Sequence, residues 1–174
     1  EVLGTLFNPK EADPTLSTII LEFRIPKAIT AILAGVALSV SGLQMQTVFR
    51  NPLAGPYVLG ISSGASLAVA LFAMGFPVML TGSLAWAGTW TVALVAWIGS
   101  FLVMLLVLAV SARVNDNMTL LILGMLFSSG VGALVTILQY YSNESVLKSF
   151  IVWTMGSLGS ITGRQLYVVV PAVI

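Results

Sequence analysis

The chain contains no cysteine and no histidine, and only 7% of its residues carry charge. Each shortage removes a class of chemistry. Without cysteine there is no disulfide framework and no thiol nucleophile, and redox says nothing of the compartment. Without histidine or cysteine the usual zinc ligands are missing, and the few carboxylates are scattered, so neither a metal nor a cofactor is expected. A Ser-His-Asp arrangement is impossible, and a Ser-Lys pair would need a lysine inside the apolar segments, where there is none. The phosphate-binding pattern GxxxxGK followed by Ser or Thr does not occur, so the chain does not bind ATP by that loop and is not read as an enzyme. A net charge of +1 gives no electrostatic case for nucleic acid.

The charge shortage also identifies the solvent. A soluble domain of 174 residues would carry roughly a quarter charged residues to cover its water-facing surface. Here 58% are hydrophobic and the mean hydropathy is +1.05. The expected class is therefore an all-α, multi-pass bundle in lipid. A bilayer core about 30 Å thick takes roughly 20 apolar residues per helix. Four segments qualify: helices over 25–48, 57–74, 84–111 and 118–140. A fifth begins near Gln165. No charged residue lies between Asn51 and Ala112, or between Asn117 and Asn143. Proton-coupled carriers keep Asp, Glu or His at such depths. Any transport would then draw its energy from a partner.

The polar residues 1–23 form a separate extramembrane segment in this reading, and 24–174 the membrane region. "DPTLSTIILEF" predicts a short surface helix with Pro14 at its start. The opening "EVLGTLFNPKEADP" is acidic and is not a signal peptide. The sequence starts on Glu1 and stops inside an apolar run, so it reads as a piece of a longer protein. Asp116 or Asn117 is the expected N-cap of the 118–140 helix. "ESVLKSFIVW" predicts a short helix, with Glu144 and Lys148 an i,i+4 pair, and "GSLGSITG" breaks it.

Three features carry chemistry. Ala31, Gly35, Ser39, Gly42 and Gln46 recur at helical spacing, and Gly60 and Gly64 form a GxxxG among Ser62, Ser63 and Ser66. Small residues let helices approach closely in lipid, so both stripes are either a helix seam or the wall of a path. Between them lies "RNPLAGP". Pro52 and Pro56 lack an N–H and push the preceding residue out of helix, which predicts a rigid reversal at one membrane face. It is either a tight turn or a fixed constriction. The third feature is "FRIPK". Arg24 and Lys27 are either interfacial anchors or paired cations offered to a partner's acidic groups.

Charge alone places Lys10, Arg24, Lys27, Lys148 and Arg164 on one side and Arg50 and Arg113 on the other. The positive-inside rule would put the first group in the cytoplasm.

Taken in order, "RIPK" at 24–27, "GVALSVSGLQMQ" at 35–46, "NPLAGPYVLGISSGA" at 51–65 and "WTMGSLG" at 153–159 resemble the FecCD-type permeases of ABC importers. That family serves iron–siderophores, haem and cobalamin. The resemblance covers the chain but only about half of the family's permease. It implies part of a ten-helix type II importer subunit, in a bacterial inner membrane. It implies a homodimer with the path between subunits, an ABC ATPase subunit below and a periplasmic substrate-binding protein above. By resemblance, Arg24 and Lys27 face the periplasm and hold acidic residues of the binding protein. Lys27 replaces the family's usual arginine, keeping the charge but losing the bidentate fork. Asn51, Pro52 and Leu53 belong to the cytoplasmic gate, and the loop at Asp116 and Asn117 takes the second gate position. The short helix before Trp153 sits at the outer mouth. This orientation opposes the charge count, and the ordered motifs outweigh a handful of charges. Two other readings remain: a self-contained small channel or scaffold, and a piece of the permease that transports nothing.

Overall fold

In the computed structural model the described residues are 13–75, 88–114, 116–158, 166–167, 170–171 and 173. All their regular structure is helical. Helix α1 spans Pro14–Phe49, α2 Ile61–Gly75, α3 Gly88–Ser111, α4 Asn117–Tyr140 and α5 Glu144–Met155. Three of these, α1, α3 and α4, are long and apolar enough to cross a membrane.

Helix α1 starts as its sequence dictates. Asp13 is the N-cap, its side chain accepting from the Thr15 N–H at 2.9 Å, and Pro14 occupies the first turn, where its missing N–H costs nothing. A helix therefore forms here as expected, but it does not stop before Arg24. It passes through a π-helical stretch, Ile19–Arg24, straight into the α-helix Ile25–Phe49. Pro26 explains the π turn. A proline inside a helix removes one N–H and its ring meets the carbonyl four residues back, here that of Glu22. A wider turn accommodates the ring, and the Ile25 N–H reaches back to Ile20.

Helix α2 differs from expectation. It was expected over 57–74 as a full span, but begins at Ile61, because Pro52 and Pro56 hold the chain in turns as far as Gly60. Gly60 has φ +76°, the left-handed region, and opens the helix. The ten α-helical and five π-helical residues of α2 rise about 20 Å, short of a bilayer core of about 30 Å. The other elements follow the sequence more closely. Helix α4 is one residue longer than 118–140, and Asp116 is its cap. Helix α5 contains the expected 144–153 stretch and ends where Gly156 turns left-handed at φ +71°. The start of α3 at Leu84 and of the last helix at Gln165 lie outside the described residues.

The chain divides into two compact units, Gln44–Met155 and Glu1–Leu43 with Gly156–Ile174. In the first, Val69 and Ala70 of α2, Val131 and Val135 of α4 and Phe150 of α5 form one buried cluster. Phe49, Ala54, Leu59 and Leu121 form another. Glycine sets how closely these helices approach. A Cβ on Gly64 of α2 would lie 2.8 Å from the Gly99 carbonyl oxygen of α3 and collide with Val103. A Cβ on Gly99 would collide with the Gly64 carbonyl and Ala68. In lipid such backbone proximity is itself the association energy, since burying apolar surface gains little there.

In the second unit, Ile20, Pro26 and Thr30 are buried, while most of α1 beyond them is exposed. Gly35 and Gly42 have nothing within 4 Å of an added Cβ.

These contrasts predict opposite responses to one methyl group. Gly64→Ala and Gly99→Ala each destabilise the chain by about 1–3 kcal/mol, the usual range for overpacking. Gly35→Ala and Gly42→Ala leave it unchanged or raise it by up to about 1 kcal/mol through helix propensity. Thermal melts of the chain in detergent, followed by helical circular dichroism, check this. Equal shifts at all positions would contradict the packing.

Candidate functional site

The loop between α1 and α2 is built from its own residues. Arg50 takes φ +47°, an uncommon conformation for a residue with a Cβ, at a cost of about 1–2 kcal/mol. The conformation ends α1 with two crossed bonds: the Asn51 N–H donates to the Gln46 carbonyl at 3.1 Å and the Arg50 N–H to that of Thr47 at 3.3 Å. Asn51 then folds the chain over Pro52. Its side-chain oxygen accepts from the Leu53 N–H at 2.9 Å, and its carbonyl from the Ala54 N–H at 3.1 Å. Pro56 supplies the preset φ of the next turn, closed by Val58 N–H to the Gly55 carbonyl at 3.2 Å. The expected rigid reversal is therefore present, with its bonds made within the loop.

The Val48 carbonyl is met from outside the loop. In a continuing helix the Val48 carbonyl would receive the N–H of residue 52, which is proline and has none. The side-chain amide of Asn117 donates to it instead, at 2.9 Å. This bond brings together two positions sixty-nine residues apart in sequence, the last turn of α1, which leads into the loop at Asn51–Leu53, and the first residue of α4. Leu53 is 89% exposed at the tip.

The face of α4 beneath Asn117 continues the contact. Leu121 shares a buried cluster with Phe49, Ala54 and Leu59. A Cβ on Gly124 would stand 2.5 Å from the Val58 carbonyl oxygen and 3.0 Å from the Leu59 Cα. Gly60 lies against Ser128, Phe127 and the Gly124 carbonyl. The GxxxG of Gly60 and Gly64 is thus divided between two neighbours, with Gly60 on α4 and Gly64 on α3. Gly99 and Gly124 are the counterparts that sequence reasoning missed. The available signal was glycine inside an apolar helix, where it weakens the helix unless backbone passes close; in α4, where Gly130 and Gly132 are also present, it does not single out Gly124.

The stripe on α1 behaves differently. Gly35, Ser39 and Gln46 are exposed and Gly42 is half-buried. The Ser39 hydroxyl donates back to the Gly35 carbonyl at 2.8 Å. Among the described residues nothing packs on Gly35 or Gly42, so the seam expected there is not formed within them. At the far end of the helix, Arg24 and Lys27 are exposed on either side of buried Pro26. The α-helix from Ile25 to Phe49 has 25 residues, about 37 Å of helical rise, which is more than a bilayer core.

Asp116 anchors the first turn of α4. Its carboxylate accepts from the Thr119 hydroxyl at 2.7 Å, the Thr119 N–H at 2.9 Å and the Met118 N–H at 3.4 Å. The hydroxyl bond leads these contacts in holding the carboxyl below its usual value of 3.8. A depressed native value means the cap is fully present above the unfolded value and is lost as pH falls through the native one. Protection of the Met118 and Thr119 amides, taken relative to their intrinsic exchange rates, should therefore fall as pH drops through the native value, which lies below 3.8. Asp116→Asn should remove that change in protection. Protection that does not change with pH in the unaltered chain would contradict the cap.

Comparison with known proteins agrees with this architecture. The FecCD transport family model matches residues 1–174. The hemin transport system permease protein HmuU of Yersinia pestis is 39% identical over 89% of this chain and 45% of its own length. The molybdate import system permease protein MolB of Haemophilus influenzae is 31% identical over 95% of this chain and 47% of its own. A solved metal-chelate type ABC transporter in an inward-facing conformation superposes with a TM-score of 0.75 at 31% identity, covering 90% of this chain and 47% of that one. The chain thus spans about half the length of the relatives it matches. With three helices able to cross a bilayer and the family model matching throughout, it is a membrane protein and belongs to the FecCD transport family of ABC permeases.

Proposed function

We propose that this chain forms part of the permease subunit of an ATP-driven importer, working by alternating access in a bacterial inner membrane. An ABC ATPase subunit hydrolyses the nucleotide, a periplasmic binding protein delivers substrate, and the complete permease acts as a homodimer. The substrate is a metal chelate, with iron–siderophore, haem and cobalamin the classes that the motifs suggest. The molybdate relative widens that range to a small oxyanion.

The observation that carries the reading is the Asn117–Val48 hydrogen bond. It supports a gate because it joins the end of α1, just before the Asn51–Leu53 loop, to Asn117, the two positions that the family resemblance assigns to the cytoplasmic closure. Asn51, Pro52 and Leu53 form the gate loop in this reading, with Leu53 as the exposed tip. Asn117 belongs to the second gate position. Gly35, Ser39, Gly42 and Gln46 line the path or meet a helix of the complete dimer; among the described residues nothing lies within 4 Å of a Cβ added at Gly35 or Gly42. Gly60 and Gly64 hold the gate loop's exit against α4 and α3. Arg24 and Lys27, on the opposite face, dock the binding protein through its acidic residues.

Reversing both cations tests this. Arg24→Glu with Lys27→Glu should weaken binding-protein association about tenfold or more at low salt. Two exposed ion pairs contribute about 0.2–1 kcal/mol each and would become repulsive. Lys27→Arg should tighten it, by restoring the planar fork. Titration of the reconstituted transporter with its binding protein, at low and high salt, reads both effects. Undiminished binding by the double reversal would overturn the docking role. Substrate flux without nucleotide or ATPase would favour a self-contained channel.

A further inference from the structure

Resting on the gate reading, we propose that Asn117 is a positioning residue that fastens the α1–α2 loop to α4, so that the loop and the first half of α4 move as one body when the gate opens. The argument starts from Pro52. The left-handed turn at Arg50 satisfies the Gln46 and Thr47 carbonyls, and proline leaves that of Val48 without its backbone donor. Asn117 supplies the missing donor from another helix. The loop's own sequence thus creates the vacancy that ties it to α4.

The tie continues along α4. Asn117, Leu121, Gly124 and Ser128 are spaced by four, three and four residues, which places them on one face. Each meets the loop or its flanks: Asn117 at Val48, Leu121 at Phe49, Ala54 and Leu59, Gly124 at Val58 and Leu59, and Ser128 at Gly60. The lower contacts are close packing, and packed surfaces have discrete arrangements rather than sliding freely. Asn117 is the exposed polar member at the outer end. Removing its donor leaves the buried contacts in place, and water can reach the Val48 carbonyl. The variant therefore folds while the loop's free end loosens.

The chain has no cysteine, so labels introduced into it have no background from its own residues. Leu53→Cys and Met118→Cys are both exposed and take no part in the tie. Spin labels at the two positions, in the complete permease assembled with its ATPase and binding protein in a bilayer, read the distance directly. A narrow 53–118 distance distribution within one subunit is expected, unchanged between nucleotide-free and ATP-analogue states, when one subunit of the dimer carries both labels. Asn117→Asp keeps the shape but removes the amide donor, so it should broaden the distribution. Asn117→Gln keeps an amide donor and should restore it in part. A 53–118 distance that changes with nucleotide in the otherwise unaltered protein would overturn the proposal, as would an unbroadened distribution in Asn117→Asp. Nucleotide-independent substrate leak in Asn117→Asp would support both the tie and the gate. Broadening without leak would uphold the tie and remove the gate reading on which it rests.

Discussion

A backbone group inside a bilayer has no water to turn to, so every break in a helix must be closed by protein. The reversal between α1 and α2 meets that demand one bond at a time. Arg50 and Asn51 return their N–H groups to α1, Asn51 closes over Pro52, and Gly55 closes over Pro56. The Val48 carbonyl, at the exposed end of α1, accepts from Asn117.

Close approach then fixes the rest of the unit. Gly60 and Gly124 let the loop's exit lie against α4, and Gly64 and Gly99 let α2 lie against α3. The described part of α2 is held between two full-length helices, α3 and α4. Phe150 and Trp153 of α5, with ring centroids 6.0 Å apart, pack on the cluster formed by α2 and α4. By contrast, the small-residue stripe of α1 meets no described residue. Small residues on an unfilled face suit a partner helix or a lined path, both of which a dimeric permease provides.

Much of this was legible from residue order. Long apolar runs located α3 and α4, because hydropathy reports directly on the bilayer. The two prolines and Asn51 announced the reversal, and Asp116 the cap. Three things were not legible. The start of α2 was misplaced by four residues, since an apolar "YVL" after a proline reads equally as helix or turn. The π turn at Ile19–Arg24 was hidden because Pro26 reads as the start of a helix, although the helix arrives there from Pro14. The pairing of Gly64 with Gly99, and of Asn117 with Val48, depends on which helices are neighbours, and periodicity within one segment carries no such information. At the candidate site, the sequence identified the loop and Asn117 separately, and the structure supplied the bond between Asn117 and the end of α1.

The most direct test of the account is the reactivity of a single Leu53→Cys substitution toward a membrane-impermeant maleimide, in the complete transporter in sealed vesicles. A cytoplasmic gate predicts labelling from the ATPase side alone, with a rate that changes severalfold between nucleotide-free and nucleotide-bound states. Labelling from the binding-protein side, or one rate in every nucleotide state, would contradict it.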